Sequence, residues 1–229
     1  GTDDHLPLPD NAATMRFTRG EPKGCVDYAD ALENLVALHG AETIAAVIVE
    51  PFAGSGGVYA SPTDYMKRLR ALCDKYGILL IFDEVITGFG RMGHAFAAER
   101  YGVTPDIINF AKGVSNGAAP LGGSIVSNKI HDAFMNNSAG EHNIELFHGH
   151  TYSAHPLACA AALATLDIYR DEGLFERARK MEKVLEDAVH SLKGAPFVSD
   201  IRNAGFAAGI ELEADPKAPG RRGLDAIKL

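Results

Sequence analysis

Short apolar runs alternate along the chain with longer segments in which apolar residues recur at helical spacing. Three of the runs, Ile44–Val49, Ile78–Phe82 and Ile107–Ala111, are five or six residues long and are bounded by turn-forming residues. Such runs are typical of strands buried on both faces of a parallel sheet. Since a helical segment separates the first two runs, the pattern predicts a strand–helix–strand unit with a right-handed crossover. Gly122–Val126 predicts a further short strand.

Helix boundaries are predicted from capping residues. Asp27 is placed to cap a helix over Tyr28–His39, and Gly40 stands just past its end. Ser61 precedes a proline and an acidic residue, which is the pattern of an N-terminal cap, and Gly77 closes the helix that follows.

The last third of the chain has a different organisation. A helix rich in alanine begins at Pro156 and suits close packing at a domain or subunit interface. Gly173 separates this helix from a charged amphipathic helix over Leu174–Leu192. Two further apolar runs, Phe197–Ile201 and Phe206–Leu212, predict strands of a second, smaller domain.

The composition excludes several classes of protein. The chain has 229 residues and a formal net charge of −8, which argues against nonspecific nucleic-acid binding. No apolar run approaches the length of a membrane span, and no signal-peptide pattern opens the chain. The three cysteines, Cys25, Cys73 and Cys159, form no CxxC pair. We therefore expect a cytoplasmic protein with reduced thiols and with neither a nucleic acid nor a membrane as partner.

Two of the apolar runs are followed by charged residues, Asp83 and Lys112. Because ligands bind at the carboxyl ends of the strands in an open α/β sheet, we expect both side chains at one edge. A lysine there can form an imine with a carbonyl compound, and a carboxylate can bind a protonated ring nitrogen. Pyridoxal phosphate offers both partners. The alternative is that Asp83 and Lys112 form a structural ion pair with each other or with other neighbours.

A third charge, Glu50, follows the run Ile44–Val49 and is expected at the same edge. The sequence AGSGG after it lacks the GKS or GKT ending of a phosphate-binding loop, so we interpret it as a flexible turn of the site. Glu50 either contributes to the site or accepts a backbone N–H at its mouth.

The segment Gly88–Gly93 matches the pattern GxGxxG of dinucleotide-binding folds. Five residues, two of them charged, separate it from the preceding strand, and the next strand ends in Lys112 instead of an acid. A nicotinamide site is therefore the less favoured interpretation.

A cluster of histidines lies between residues 141 and 156. Its members are His142, His148, His150 and His155. Histidines at such spacing can bind zinc, but no carboxylate or thiolate accompanies these four at a defined spacing. We interpret them as loop histidines and expect no metal.

Four sequence motifs occur in order along the chain: VEPFAGSGG, DEVITGFGRMG, AKGVSNGAAPLGG and HGHTYSAHPLACAAALA. Together they resemble the class III pyridoxal-phosphate-dependent aminotransferases, most closely the beta-alanine (omega-amino acid):pyruvate aminotransferases. The resemblance extends from about Leu6 to about Leu212. Complete proteins of this family are longer on both sides, so the chain resembles a fragment that lacks the N-terminal part and the C-terminal end.

The resemblance implies an α/β fold. Its mainly parallel sheet is that of the aspartate-aminotransferase-like (PLP-dependent transferase type I) large domain, followed by the start of a small α+β domain. We expect residues 1–165 to belong to the large domain and residues 166–229 to the start of the small one. The resemblance also implies a homodimer or a dimer of dimers.

The resemblance also implies roles for the individual residues that match the family's motifs. The resemblance implies that Lys112 forms the Schiff base with the cofactor and carries the proton, and that Asp83 binds the pyridinium nitrogen. Val85 is implied to pack against the cofactor ring. Ile86 stands where many relatives have glutamine, which removes a side-chain contact to the ring hydroxyl.

Three other residues are implied to lie around the cofactor. Glu50 matches a glutamate that orders the pocket. Thr151 matches a threonine that reaches the cofactor phosphate of the partner subunit. His150 occupies the aromatic position before it and is also able to hydrogen-bond a phosphate.

The implied reaction transfers an amino group from a small-molecule donor, an omega-amino acid or amine, to a keto acid such as pyruvate, with ping-pong kinetics. Besides the less favoured nicotinamide-binding oxidoreductase, two alternatives remain open. One is another pyridoxal-phosphate activity of the same fold, an aminomutase or decarboxylase. The other is an inactive fragment that serves as a dimerisation core.

Overall fold

The computed structural model describes residues 3–136 and 146–226. The described strands are, in chain order, β1 (Ala46–Val49), β2 (Phe52–Ala53), β3 (Tyr59–Ala60), β4 (Leu79–Asp83), β5 (Ile107–Phe110), β6 (Gly123–Val126), β7 (Val198–Ala204) and β8 (Ala207–Leu212). The described α-helices are α1 (Ala12–Met15), α2 (Ala31–His39), α3 (Thr63–Tyr76), α4 (Ala97–Tyr101), α5 (Asn128–Met135), α6 (Pro156–Asp171), α7 (Leu174–His190) and α8 (Arg221–Ala226). Short 3₁₀ helices span Val26–Asp30, Ala41–Thr43 and Lys112–Val114.

The central sheet has the strand order β1-β4-β5-β6. The first three strands are parallel, and Ile81 of β4 is in register with both Ile48 of β1 and Ile107 of β5. Strand β6 runs antiparallel to β5. The predicted α/β fold with a mainly parallel sheet is therefore confirmed. Two hairpins, β2–β3 and β7–β8, lie outside this sheet.

The main core lies on one face of the sheet. Leu80 and Phe82 of β4 are fully buried there against the apolar side of α3, including Leu69 and Leu72. On the other face β4 is half-buried, and Ile48 of β1 is 58% exposed. The prediction that these strands are buried on both faces is thus wrong for the described residues, because the core helices pack on one side only.

Two predicted caps differ from the structure. Asp27 lies inside the 3₁₀ turn that precedes α2 and does not cap the helix. Helix α3 begins one residue later than predicted, with Pro62 instead of Ser61 at its N-cap. The reason is a long-range contact, since Glu21 Oε1 accepts the free Thr63 N–H at 2.7 Å. Gly77 ends α3 in the left-handed conformation, as predicted.

Glu84, directly after β4, is a fully buried carboxylate. It accepts hydrogen bonds from the backbone N–H groups of Ala97 at 2.6 Å and Ala98 at 2.9 Å and from the Thr87 hydroxyl at 2.9 Å. These contacts satisfy the first N–H groups of α4 and anchor that helix to the sheet. Burial nevertheless raises the pKa of Glu84 above its ordinary value.

The β7–β8 hairpin packs against the loop that follows β4. At its tip, Phe206 N–H donates to the Arg91 carbonyl at 2.8 Å, and an Arg91 guanidinium N–H donates to the Phe206 carbonyl at 3.1 Å. Helix α7 is linked to α4 by two 2.9 Å hydrogen bonds between Arg100 and Glu182. Helix α6 runs through the predicted domain boundary at residue 165, and that boundary stays a prediction. None of the helices within residues 3–136 and 146–226 is long and apolar enough to cross a membrane.

Gly205 gives a test of the hairpin contact. Its φ is +55°, and a Cβ atom there would collide with the backbone of Arg91 and Met92. Gly173 has a similar φ of +61° but nothing within 4 Å of its Cβ position. We expect Gly173→Ala to lower the free energy of unfolding by about 1–2 kcal/mol and Gly205→Ala by roughly 1–3 kcal/mol more. Urea unfolding measures both, and equal losses would contradict the packing.

Glu84→Gln tests the buried carboxylate, because glutamine resembles its protonated form. A raised pKa means that protonated Glu84 stabilises the folded state below the ordinary glutamate pKa and that this contribution is lost as pH rises. The parent chain should therefore lose this contribution between pH 4 and pH 7, whereas the variant does not. The free energy of unfolding of the variant minus that of the parent chain should rise over this range. Exposed Glu213→Gln is the control. A difference that is flat or falls with pH would contradict the prediction.

Candidate active site

The carboxyl ends of β1, β4 and β5 bring three polar side chains to one edge of the sheet. Val49 is in register with Phe82, so the residues that follow them, Glu50 and Asp83, stand side by side. Asp83 is itself in register with Asn109 of β5. Lys112 follows two residues after the end of β5 and begins a 3₁₀ turn. The predicted placement of Glu50, Asp83 and Lys112 at one edge agrees with this register.

Asp83 is held by the turn that follows β4. Its Oδ1 atom accepts the Val85 N–H at 3.0 Å, while the Glu84 N–H continues the ladder to the Asn109 carbonyl at 2.8 Å. Both Asp83 and Val85 are half-buried. Asp83 Oδ2 has no hydrogen bond within the described part of the chain. The described residues therefore hold one carboxylate oxygen of Asp83 and leave the other without a hydrogen bond.

Lys112 is exposed and has a φ of +43°. The left-handed conformation costs a non-glycine residue roughly 1–2 kcal/mol, and such strain is found most often at functional sites. Its Nζ atom has no hydrogen bond and no ion pair among residues 3–136 and 146–226. Within the described residues, Asp83 and Lys112 therefore do not form the structural ion pair that was the alternative.

The turn that carries Lys112 is held from behind by aromatic side chains. The Tyr169 hydroxyl of α6 donates to the Gly113 carbonyl at 2.8 Å. A Cβ atom on Gly113 would lie 2.7 Å from Phe89 Cβ, so only glycine fits against that ring. The Phe89 and Tyr169 rings stack at 6.2 Å. Further edge-on and tilted ring pairs extend this aromatic cluster to Phe96, Phe110 and Phe175.

This aromatic cluster was missed by the sequence analysis. Its only signal in the sequence is the Phe89 between two glycines, because Tyr169 and Phe175 are about 80 residues further along the chain. It gives the GFGRMG segment a structural role: Gly90 and Gly93 have positive φ, and they pack against Phe175 and Arg179 of α7. The segment does not join a strand directly to a helix, and Glu84 occupies the N–H groups of α4. The geometry therefore argues against a dinucleotide-binding turn.

Glu50 makes the contact that was predicted as its alternative role. Its Oε2 atom accepts the backbone N–H of Gly54 at 3.1 Å. Gly54 is in turn packed against Ile86, whose Cδ1 would lie 2.7 Å from a Cβ atom on that glycine. The contact orients Glu50 at the edge of the sheet, and any contact of Glu50 to a cofactor stays a prediction.

Thr151 and His150 lie in an exposed segment before α6. His150 N–H donates to Ser153 Oγ at 2.9 Å, and its ring meets the edge of His148 at 5.4 Å. No hydrogen bond within the described residues joins Thr151 or His150 to Asp83 or Lys112.

The predicted histidine cluster is only partly described, because His142 lies outside the described residues. Within residues 3–136 and 146–226, no group of three or more metal-ligating side chains is arranged to hold a metal ion.

The donors and acceptors of this edge fit pyridoxal phosphate. Within residues 3–136 and 146–226 the Lys112 amine has no partner, which suits the aldehyde, and Asp83 Oδ2 accepts no hydrogen bond, which suits the protonated ring nitrogen. The two groups follow the carboxyl ends of adjacent parallel strands, where ligands of open α/β sheets bind.

Comparison with known proteins agrees with this geometry. The family "Aminotransferase class-III" matches residues 4–227. An omega-aminotransferase of Caulobacter vibrioides is 56% identical over 225 residues, which are 98% of this chain and 51% of that protein. A beta-alanine–pyruvate aminotransferase of Pseudomonas aeruginosa is 50% identical over 217 residues, 93% of this chain and 48% of that protein. The chain thus spans about half the length of these relatives.

Solved structures agree as well. An (S)-enantioselective omega-transaminase from Thermomicrobium roseum has a TM-score of 0.78 at 42% identity, covering 84% of this chain and 42% of that one. An amine transaminase from an uncultivated Pseudomonas species, described as PLP-bound, also has a TM-score of 0.78 at 42% identity, covering 86% and 44%. The cofactor indicated by family and neighbour is pyridoxal phosphate, as predicted. This chain belongs to the class III aminotransferases.

Proposed function

We propose that this protein transfers an amino group from an omega-amino acid or amine to a keto acid such as pyruvate, in two half-reactions with ping-pong kinetics. The observation that carries the proposal is the pair of available atoms, Lys112 Nζ and Asp83 Oδ2, at the ends of adjacent parallel strands. The substrate class is supported by relatives named omega-aminotransferase and beta-alanine–pyruvate aminotransferase.

In this proposal each residue at the edge of the sheet has a separate role. When bound, pyridoxal phosphate supplies an aldehyde and an electron-withdrawing ring. Asp83 Oδ2 holds the proton of the ring nitrogen in a charge-assisted hydrogen bond. Val85, two residues after Asp83 and half-buried, would support the ring face. Lys112 Nζ is the amine that would hold the cofactor through its aldehyde, and the same amine, when free, would move a proton from the substrate carbon.

Other predicted features complete the proposal. Thr151 and His150 contact the cofactor phosphate of a partner subunit in a homodimer or a dimer of dimers. Their exposure is what such a contact across an interface requires. Glu50 orders the mouth of the site, residues 1–165 form part of the cofactor-binding domain, residues 166–229 begin the small domain, and the protein is cytoplasmic.

Borohydride reduction in the presence of pyridoxal phosphate tests the lysine. We expect the label, mapped by peptide mass, on Lys112 alone, because its Nζ has no hydrogen bond or ion pair within residues 3–136 and 146–226 and its turn follows the strand next to that of Asp83. Lys112→Ala should remove the label. Lys129→Ala changes another exposed lysine and should leave it intact. Label spread over many surface lysines would contradict the proposal.

Asp83→Asn tests the carboxylate with little change in shape. Its neutral amide cannot hold the ring nitrogen protonated, so kcat for amino transfer should fall by about 10²-fold or more. The label on Lys112 should persist, since no hydrogen bond or ion pair joins Asp83 and Lys112 within the described residues. Exposed Asp74→Asn is the control. Full activity of Asp83→Asn in a steady-state assay with pyruvate would refute the assignment.

A further inference from the structure

The turn between β2 and β3, residues Gly54–Val58, is held from two sides. On the side of the sheet, Gly54 packs against Ile86, three residues after Asp83. On the other side, a Cβ atom on Gly209 of β8 would collide with the carbonyl of Gly57, so the hairpin backbone lies directly on the turn. The turn thus connects the β7–β8 hairpin with the edge of the sheet that carries the candidate site.

Arg202 of β7 is the side chain that binds this turn. It is largely buried, with 13% of its side chain exposed, and its Nε–H donates to the Gly57 carbonyl at 3.1 Å. Its guanidinium lies 4.0 Å from the centre of the Tyr59 ring, just after the turn. Asp200 and Glu211 both pair with its Nη1 atom, Glu211 at 2.7 Å. Both carboxylates orient the guanidinium toward Gly57 and Tyr59.

The far end of the turn reaches Glu50. The N–H of Gly54 is the hydrogen-bond donor to Glu50 Oε2, at 3.1 Å. A continuous series of contacts therefore runs from Arg202 through Gly57 and Gly54 to a carboxylate at the edge of the sheet. Its first contact, between Arg202 and Gly57, joins residues that are 145 positions apart in the sequence.

We propose that Arg202 is a positioning residue of the candidate site. It holds the Gly54–Val58 turn in the conformation in which the Gly54 N–H fixes the Glu50 carboxylate beside Asp83. Its effect on amino transfer rests on the proposed function, whereas its effect on the turn does not. A purely structural arginine would stabilise the hairpin and leave the Gly54–Glu50 hydrogen bond unchanged.

Arg202→Lys is the test variant, because lysine keeps the charge between Asp200 and Glu211 but loses the planar stack on Tyr59 and the Nε–H donor. The chain offers a matched control. Arg222 also stacks on an aromatic ring, with its guanidinium 3.8 Å from the centre of Phe197. Its Nε–H also donates to a backbone carbonyl, that of Glu213, at 2.8 Å, and neither of these two contacts involves the turn.

Amide hydrogen exchange of the chain without cofactor gives the first readout. In Arg202→Lys the amides of the Gly54–Val58 turn should exchange about tenfold faster, while those of β4 keep their rates. Arg222→Lys should leave the turn unchanged. Unchanged exchange at the turn in Arg202→Lys, or faster exchange across the whole chain, would overturn the proposal.

A double-mutant cycle with Glu50→Ala gives the second readout. If Arg202 acts through Glu50, Arg202→Lys lowers kcat/KM for amino transfer by about tenfold in the parent chain but by less than about twofold in Glu50→Ala. Equal factors in both backgrounds would overturn the proposal. A parent chain without label on Lys112 would instead refute the proposed function, and the exchange rates of the turn would still decide the role of Arg202.

Discussion

The parallel pairing of β1, β4 and β5 is the constraint on which the candidate site depends. Parallel strands end at the same edge, and the observed register sets Glu50, Asp83 and Asn109 side by side. A shift of one residue in one strand would turn its last side chain to the opposite face of the sheet. The burial of Leu80 and Phe82 on one face excludes that shift for β4, so packing of the core also determines which charges reach the edge.

Contacts from the second half of the chain then fix the turns at this edge. Tyr169 holds the Gly113 carbonyl next to Lys112, and Arg202 holds the Gly57 carbonyl in the turn after Glu50. Both contacts end on backbone carbonyls of segments that have little regular structure of their own. Such packing offsets the cost of the left-handed conformation that Lys112 adopts next to Gly113.

Whether a feature is predictable from the sequence depends on how far apart in the chain its interacting residues are. The strand of Ile107–Phe110 was predicted to within one residue, because burial of an apolar run is a local signal. The β2–β3 hairpin was missed, because two-residue strands show no periodicity. The antiparallel direction of β6 was not predicted either, because the residues of a single strand do not indicate its direction. Contacts such as Tyr169 with Gly113, 56 residues apart, depend on the assembled fold and are invisible to local patterns.

The most direct test of the account is a crystal structure of the chain with pyridoxal phosphate bound. The account predicts that the cofactor is attached at Lys112 Nζ, with its ring nitrogen about 3 Å from Asp83 Oδ2 and Val85 beside the ring. A cofactor at another lysine, or a ring nitrogen turned away from Asp83, would contradict the central claim that these two strand ends form one binding site.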